Sequence, residues 1–178
     1  MNAYEDADGR VVMDVCRYPR MFDQNREGPF EDPGALDRWV IDPKGGPVKE
    51  ARLSDRNEEF PRHDERLIGK PYRYGYSIGT VEGSPFDTLE KFDLERGSVE
   101  THHQGAHRSF MEPIFVPRSD AAAEDEGFVM AYVHDAESNT CDVVILEAQN
   151  FAAPPVATIH LPVRVPYGFH GNWLPAAR

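Results

Sequence analysis

Cysteine and long apolar runs are scarce in this sequence, and each scarcity excludes a class of protein. Cys16 and Cys141 are the two cysteines among 178 residues, which are too few and too far apart in sequence to indicate a disulfide framework. We therefore expect two reduced thiols, buried or half-buried, as in a cytoplasmic protein. The apolar runs span only a few residues, far short of the ~18 that a membrane-spanning helix needs. The first residues, MNAYEDADGR, are polar and acidic, unlike a secretory signal.

Positive charge is also scarce. The chain has 19 Lys and Arg against 31 Asp and Glu, which gives a formal net charge of −12. Nucleic acids and anionic lipid surfaces repel such a protein, so we expect no nucleic-acid partner. The hydrophobic content of 40% and the aromatic content of 11% are typical of a globular chain with a core.

Short segments rich in Val, Ile, Tyr, Phe and Thr, separated by turn residues, predict an all-β fold. Asp8-Gly9, Arg96-Gly97 and Glu126-Gly127 each place a glycine where a hairpin needs a positive φ. The spacing favours a sandwich, a barrel or a propeller. Residues 20–35 and 43–66 are predicted to be long surface loops. The predicted strands are 10–18, 37–42, 72–80, 88–94, 98–103, 113–118, 127–135, 141–148 and 156–165.

The histidines do not by themselves predict a metal site. His102, His103 and His107 form the densest group, but adjacent residues of a strand point to opposite faces, which favours a structural or solvent-exposed role. Glu59 (in NEEFPRHD) and Glu112 (in SFMEPIFVPR) lie among apolar residues and prolines, where a carboxylate is costly to bury unless it is paired. His170, in YGFHGNW, is a single imidazole close to the last residue.

Several segments together resemble the carotenoid cleavage oxygenases, a family that includes lignostilbene dioxygenases and the retinoid isomerohydrolase. The resemblance covers nearly the whole chain, and its most specific part is HLPVRVPYGFHGNW preceded by EPIFVPR. The segments are NAYED (2–6), EEFPR (58–62), GKPYRYGY (69–76), EPIFVPR (112–118), the EDEG turn (124–127) and HLPVRVPYGFHGNW (160–173).

The resemblance implies a seven-bladed β-propeller whose central iron(II) is held by four histidines from separate blades. Residues 1–178 would then be the C-terminal part of one propeller domain, without an internal boundary. His170 matches the last iron ligand, Glu112 the carboxylate that orients it, and Glu59 the glutamate that supports the third histidine. No catalytic residue is implied beyond this metal site. The implied reaction uses O2 to cleave a conjugated C=C bond of an apolar substrate into two carbonyl products.

The sequence departs from the family pattern in one respect. The third iron histidine of the family lies just before the N-A-Y-E segment, and this chain begins with Met1 followed by that segment. The resemblance therefore implies a C-terminal portion, of about four blades at most, with one iron ligand of four. We expect the isolated chain to bind iron poorly, to lack oxygenase activity, and to pair with the N-terminal portion through its open strand edges.

Two other interpretations stay open at this point. The chain could be a non-enzymatic β-rich module that binds an apolar ligand or a complementary chain, or a generic β-sandwich with an accidental resemblance. The resemblance does not distinguish an apocarotenoid from a stilbenoid substrate. Relatives often dock on membranes through an apolar patch near the tunnel mouth, and no such patch is evident in this sequence.

Overall fold

The described residues fold into three antiparallel sheets that follow one another along the sequence. The computed structural model describes residues 1–24, 26, 31–80 and 86–175. Sheet 1 contains β1 (Ala3–Glu5), β2 (Val11–Arg17), β3 (Ala35–Ile41) and β4 (Lys49–Ser54), in that order. Sheet 2 contains β5 (Asn57–His63), β6 (Tyr74–Thr80), β7 (Thr88–Asp93) and β8 (Ser98–His103). Sheet 3 contains β10 (Ile114–Pro117), β11 (Gly127–Asp135), β12 (Thr140–Glu147) and β13 (Ala157–His160), with β9 (Arg108–Phe110) paired to β11.

This architecture confirms the all-β prediction. The two helical segments in the part of the chain that the structure describes are single 3-10 turns, Glu65–Leu67 and Ala148–Asn150. Within the described ranges, no helix is long and apolar enough to cross a bilayer. Three sheets also agree with the expected upper limit of about four blades.

The hairpins show which glycines the turns require. Gly9 and Gly97 have φ values of 76° and 64°, as predicted for tight turns. Gly127 is different, because it begins β11 and does not have a positive φ. A Cβ at Gly127 would lie 2.3 Å from the Val116 carbonyl oxygen, so this glycine is needed for close strand approach.

The prediction of a surface loop over residues 43–66 is wrong, because this segment contains two strands. β4 is a largely exposed edge strand of sequence KEARLS, and its charges concealed its β character. β5, of sequence NEEFPRH, buries a glutamate and a histidine in place of apolar residues. The predicted loop 20–35 lies partly outside the described residues, and β3 begins at Ala35. The predicted strand 156–165 is shorter, since only Ala157–His160 pairs with β12.

The hydrophobic core lies between sheets 2 and 3. Tyr76 stacks on Phe115 with ring centroids 5.6 Å apart and planes 7° apart, and Phe151 lies against the same tyrosine at 6.1 Å. Burying a large side chain of this type contributes about 1.5–3 kcal/mol. The core residues are Tyr76, Ile78, Leu89, Phe110, Phe115, Val129, Ala131, Val133, Val144, Leu146, Ala148 and Phe151.

Sheets 1 and 2 meet through polar groups. The Tyr18 hydroxyl donates to the Glu58 carbonyl at 3.0 Å, and the Tyr72 hydroxyl donates to Asp14 Oδ2 at 2.6 Å. Asp14 also accepts two hydrogen bonds from Arg38, both 2.7 Å long. These polar contacts connect sheet 1 to sheet 2, and the Tyr4 ring also meets the Tyr72 ring edge-on, with centroids 6.3 Å apart.

Candidate metal-ligand site

His170 lies on a proline-punctuated tail that follows β13. Pro162 and Pro166 have no backbone N–H, so the tail does not extend the sheet beyond the Leu161 N–H bond to the Cys141 carbonyl at 3.1 Å. The tail then returns toward β10, where Ile114 lies 3.5 Å from the position of a Cβ on Gly171. A segment near the C-terminus is thereby brought beside a residue 58 positions earlier in the sequence.

The structure brings the His170 imidazole and the Glu112 carboxylate together. His170 Nδ1 is 3.2 Å from Glu112 Oε1, and the Gly171 N–H donates to Glu112 Oε2 at 2.9 Å. The Glu112 side chain is only 5% exposed, whereas that of His170 is 77% exposed. A carboxylate accepts, so Nδ1 donates and the Nε2 lone pair is left available. This is the arrangement that orients a metal-binding histidine.

Glu112 is held by its place between two short strands. The preceding residue, Met111, donates its backbone N–H to the Tyr132 carbonyl at 3.0 Å, and the following Pro113 leads directly into β10. The carboxylate is also 3.2 Å from Arg62 Nη1. Its two oxygens therefore have three partners, which offsets the cost of burying the charge.

The Glu59-Phe60-Pro61 segment forms an irregularity in β5 beside the histidine. The pairing with β6 shifts register between Glu59 and Arg62, and Phe60 has a φ of 51°, an uncommon conformation for an aromatic residue. The Phe60 ring meets the His170 ring edge-on, with centroids 5.7 Å apart. Bulges of this type often re-aim a side chain next to a functional site.

Glu59 does not contact His170 in this structure. Its Oε2 accepts from the Phe60 N–H at 3.1 Å, and its carboxylate faces the Tyr18 hydroxyl, whose pKa is raised chiefly by burial and then by Glu59. Among the described residues, no histidine is hydrogen-bonded to Glu59. Its predicted role, to support a different histidine, stays a prediction.

An apolar cavity of about 420 Å³ lies against the tail, with His170 and Glu112 in its wall. The side chains around it come from β10, β11, β12 and the tail. A cavity of this size and character suits an apolar small molecule. Its apolar lining includes Met111, Ile114, Met130, Val143, Phe169 and Trp173.

The other histidines are separate from this site. His102 is buried while its neighbour His103 is exposed, so the adjacent pair points to opposite faces as expected. Burial lowers the pKa of His102 and of His63, which favours neutral imidazoles at both positions. Neither residue has a described contact with His170.

The described residues supply one ligand of a metal centre and not a complete ligand set. This ligand is His170, whose Nε2 is available and whose Nδ1 is hydrogen-bonded to Glu112. In the described ranges, no three His, Cys, Asp or Glu side chains are grouped to hold an ion. One imidazole binds a metal weakly, so further ligands would have to come from elsewhere.

Sequence reasoning missed two parts of the site, Phe60 and Arg62. Both lie in EEFPR, and the proline at position 61 was the available signal, since a proline inside a strand indicates a bulge or an edge. The two predicted cysteine thiols are confirmed as free, with Cys16 half-buried and Cys141 buried.

Known proteins are similar to this chain in sequence and in fold. The family model described as RPE65, retinal pigment epithelial membrane protein, matches residues 1–175. A carotenoid cleavage oxygenase of Mycobacterium tuberculosis is 39% identical over 98% of this chain and 37% of its own length. The lignostilbene-alpha,beta-dioxygenase isozyme III of Sphingomonas paucimobilis is 30% identical over 100% of this chain and 41% of its own length.

The fold is likewise similar to a solved structure. The crystal structure of cobalt-substituted Synechocystis apocarotenoid oxygenase superposes with a TM-score of 0.89 and 33% identity, covering 98% of this chain and 38% of that one. That enzyme is a β-propeller, so the three sheets are consecutive blades of a propeller. The chain thus spans about two fifths of the length of the proteins it matches.

Proposed function

Since the chain belongs to the carotenoid cleavage oxygenase family, we propose that it forms the C-terminal part of a non-haem iron(II) dioxygenase. The family consists of metalloenzymes, and a cobalt-substituted member is among the structural neighbours. In the proposed reaction, O2 cleaves a conjugated C=C bond of an apocarotenoid or a stilbenoid into two carbonyl products. The names of the relatives, which include carotenoid and lignostilbene oxygenases, support these two substrate classes.

The observation on which this proposal depends is the His170–Glu112 pair. Glu112 Oε1 accepts from Nδ1 at 3.2 Å, so the ring is held with Nε2 available for a metal. Bound iron(II) would supply the O2 activation that the scission requires. His170 would be one of four histidine ligands, and Glu59 would support a histidine that lies outside this sequence.

The apolar cavity supplies the second part of the function. Met130, Val143 and Phe169 present hydrocarbon and aromatic surface beside His170. Such a lining binds a conjugated apolar molecule and keeps water from the reacting atoms. The residues of this chain would therefore bind one side of the substrate and hold one metal ligand.

The proposal also concerns the chain as an isolated unit. With one imidazole and no grouped ligands in the described residues, we expect poor iron binding and no dioxygenase activity from residues 1–178 alone. A complementary N-terminal portion of the same propeller domain would supply the other three histidines and cover the open strand edges. We place the protein in the cytoplasm, in keeping with its free thiols.

A hybrid enzyme tests the proposal. The segment of the Synechocystis apocarotenoid oxygenase that matches this chain would be replaced by residues 1–178, and metal content and apocarotenoid cleavage would be measured. We expect the hybrid to bind metal and to form two carbonyl products. His170→Ala should abolish cleavage and weaken metal binding by at least about 10-fold.

A matched control uses His160→Ala, because the His160 side chain is 82% exposed and its Nδ1 lies 2.8 Å from Asp142 Oδ1. This variant should retain metal and activity. If a folded His170→Ala hybrid holds as much metal as the unmutated hybrid, His170 is not a ligand. Circular dichroism of each hybrid establishes that it is folded.

A non-enzymatic binding module is the second candidate, favoured by the cavity and by the absence of a grouped ligand set among the described residues. In this case residues 1–178 alone would bind an apolar ligand or a complementary chain. Saturable binding of a fluorescent stilbene by the metal-free chain, unchanged by His170→Ala, together with an inactive hybrid, would favour this function over the first.

A further inference from the structure

Arg62 connects three segments of the chain at the candidate site. Its Nη1 lies 3.2 Å from Glu112 Oε2 and donates to the Gly171 carbonyl at 3.4 Å. Its Nη2 donates to Glu65 Oε1 at 2.5 Å and to Asn172 Oδ1 at 3.4 Å. The guanidinium thus joins strand β5, Glu112 between β9 and β10, and the tail at Gly171 and Asn172.

We infer that Arg62 is a positioning residue, which acts through Glu112 to fix the tautomer and the direction of the His170 ring. This inference rests on the proposed function insofar as His170 is a metal ligand. Arg62 does not itself touch the imidazole in the described contacts; it acts on the carboxylate and on the backbone beside the ring.

The donor chemistry of arginine gives the reason. The positive guanidinium forms an ion pair with Glu112, with Arg62 Nη1 3.2 Å from Oε2. The same oxygen accepts a hydrogen bond from the Gly171 N–H at 2.9 Å. With Oε2 held by this ion pair and by the Gly171 hydrogen bond, the carboxylate plane is fixed and Oε1 is presented to His170 Nδ1. Nδ1 must then donate to Oε1, and the lone pair remains on Nε2.

The backbone of β5 determines which way Arg62 points. Side chains of a strand alternate between faces, so a shift of one residue turns a side chain to the opposite face. The register shift between Glu59 and Arg62, with Phe60 at a φ of 51° and Pro61 between them, occurs immediately before the arginine. The bulge therefore sets the orientation of Arg62 as well as that of the EFP segment.

Burial favours a positioning role over that of an ordinary surface ion pair. The Arg62 side chain is 19% exposed and that of Glu112 is 5% exposed. Arg52 offers a contrast, because it also bridges two carboxylates, Asp37 at 2.5 Å and Asp55 at 2.7 Å, yet it is 46% exposed and lies in sheet 1. Arg52 is therefore the matched control.

The test is nitrogen-15 NMR of the histidine side chains in the metal-free 178-residue chain, which reports the tautomer of each neutral ring. When the His170 ring is neutral, it should be mainly the Nδ1–H tautomer. Arg62→Gln should lower the ratio of Nδ1–H to Nε2–H by about fivefold, a size typical of the loss of one ion pair. Arg62→Lys should restore part of the ratio, since it keeps a donor without the planar fork.

The controls separate this inference from its alternatives. Arg52→Gln should leave the His170 ratio unchanged, and Glu112→Gln should change it at least as much as Arg62→Gln does. An unchanged ratio in folded Arg62→Gln overturns the inference. If Arg62→Gln does not fold, full retention of the ratio in folded Arg62→Ala has the same consequence. Because the chain is metal-free, the result is independent of whether the hybrid enzyme is active.

Discussion

The two interfaces between neighbouring sheets differ in chemistry although the sheets are of similar size. Between sheets 2 and 3 the packed surface is aromatic and aliphatic, with Tyr76, Phe115 and Phe151 at its centre. Between sheets 1 and 2 the buried groups include carboxyl groups, such as Glu58 at 1% exposure and Glu90 at 0%, beside apolar residues of sheet 1 such as Leu36. The first interface is therefore stabilised by apolar burial, whereas the second also depends on polar contacts whose strength depends on protonation.

The polar interface buries carboxyl oxygens that lack hydrogen-bond partners among the described residues. Glu90 Oε1 accepts from Arg56 Nη1 at 2.6 Å, and Glu58 Oε2 is 3.5 Å from the Ser77 hydroxyl. The second oxygen of each carboxyl has no partner among the described residues. Burial, reinforced by the neighbouring Glu90, raises the pKa of Glu58 to about 8 against hydrogen bonds from Ser54 and Ser77. Burial also raises the pKa of Glu90.

The largest expected effect is at the apolar interface. Phe151→Ala removes a side chain with 0% exposure from the core and should lower the free energy of unfolding by about 3–5 kcal/mol. Urea denaturation measures this change. Phe169→Ala, on a residue that is 77% exposed, should change it by less than about 0.5 kcal/mol. Equal effects from the two variants would mean that sheets 2 and 3 do not pack as described.

The next effect is the pH dependence of the polar interface. Because the folded-state pKa of Glu58 is raised from 4.5 to about 8, the folded state holds a proton that the unfolded state releases. The contribution of Glu58 to the free energy of unfolding is greatest below pH 4.5 and falls as the pH rises toward 8. Between pH 5 and pH 8.5, the unmutated chain should lose on the order of a few kcal/mol of unfolding free energy.

Glu58→Gln should flatten this pH profile, because the amide does not ionise. Glu137→Gln, on an exposed residue, is the control and should leave the profile as it was. Denaturation at several pH values compares the three proteins. A Glu58→Gln profile as steep as that of the unmutated chain would show that Glu58 ionises as freely in the folded state as in the unfolded state.

A smaller effect is expected from a single hydrogen bond at the same interface. Tyr72→Phe removes the donor to Asp14 Oδ2, 2.6 Å away, while Arg38 still pairs with the carboxylate. The loss should be about 1–2 kcal/mol of unfolding free energy. Tyr167→Phe, on a tyrosine that is 55% exposed, should leave the free energy of unfolding nearly unchanged. An unchanged value in Tyr72→Phe would show that the bond to Asp14 does not stabilise the packing of sheet 1 on sheet 2.

The smallest stability effect is expected at the candidate site itself. His170→Ala truncates a side chain that is 77% exposed, so the unfolding free energy should change by less than about 0.5 kcal/mol. Thermal unfolding of the two proteins measures it. A loss of several kcal/mol would instead make His170 a packing residue and would separate it from the proposed ligand role.

Sequence patterns predicted the fold best where apolar residues alternate. β11 and β12 alternate between buried and less buried positions over eight or nine residues, and both were predicted within a residue of their observed bounds. β4 and β5 were missed because their charges are paired in space with residues distant in sequence, such as Arg52 with Asp37. No local pattern in KEARLS or NEEFPRH reports those partners.

The site shows a similar division. The family motifs singled out His170 and Glu112, which are adjacent in space although 58 positions separate them. Arg62 was part of a quoted motif, EEFPR, but its direction depends on the bulge at Glu59–Arg62, which the sequence does not display. The buried state of Glu58 was also hidden, because the neighbouring Glu59 has the same side chain and strand alternation decides which of the two is enclosed.

The central claim is that this chain supplies one imidazole ligand of a metal centre and needs the complementary N-terminal portion of the domain to complete the site. The most direct measurement is the iron content of the purified 178-residue chain after anaerobic equilibration with iron(II) and desalting, by elemental analysis. The account predicts far less than one iron per chain, unchanged by His170→Ala. Close to one iron per chain, retained through desalting and lost in His170→Ala, would contradict it.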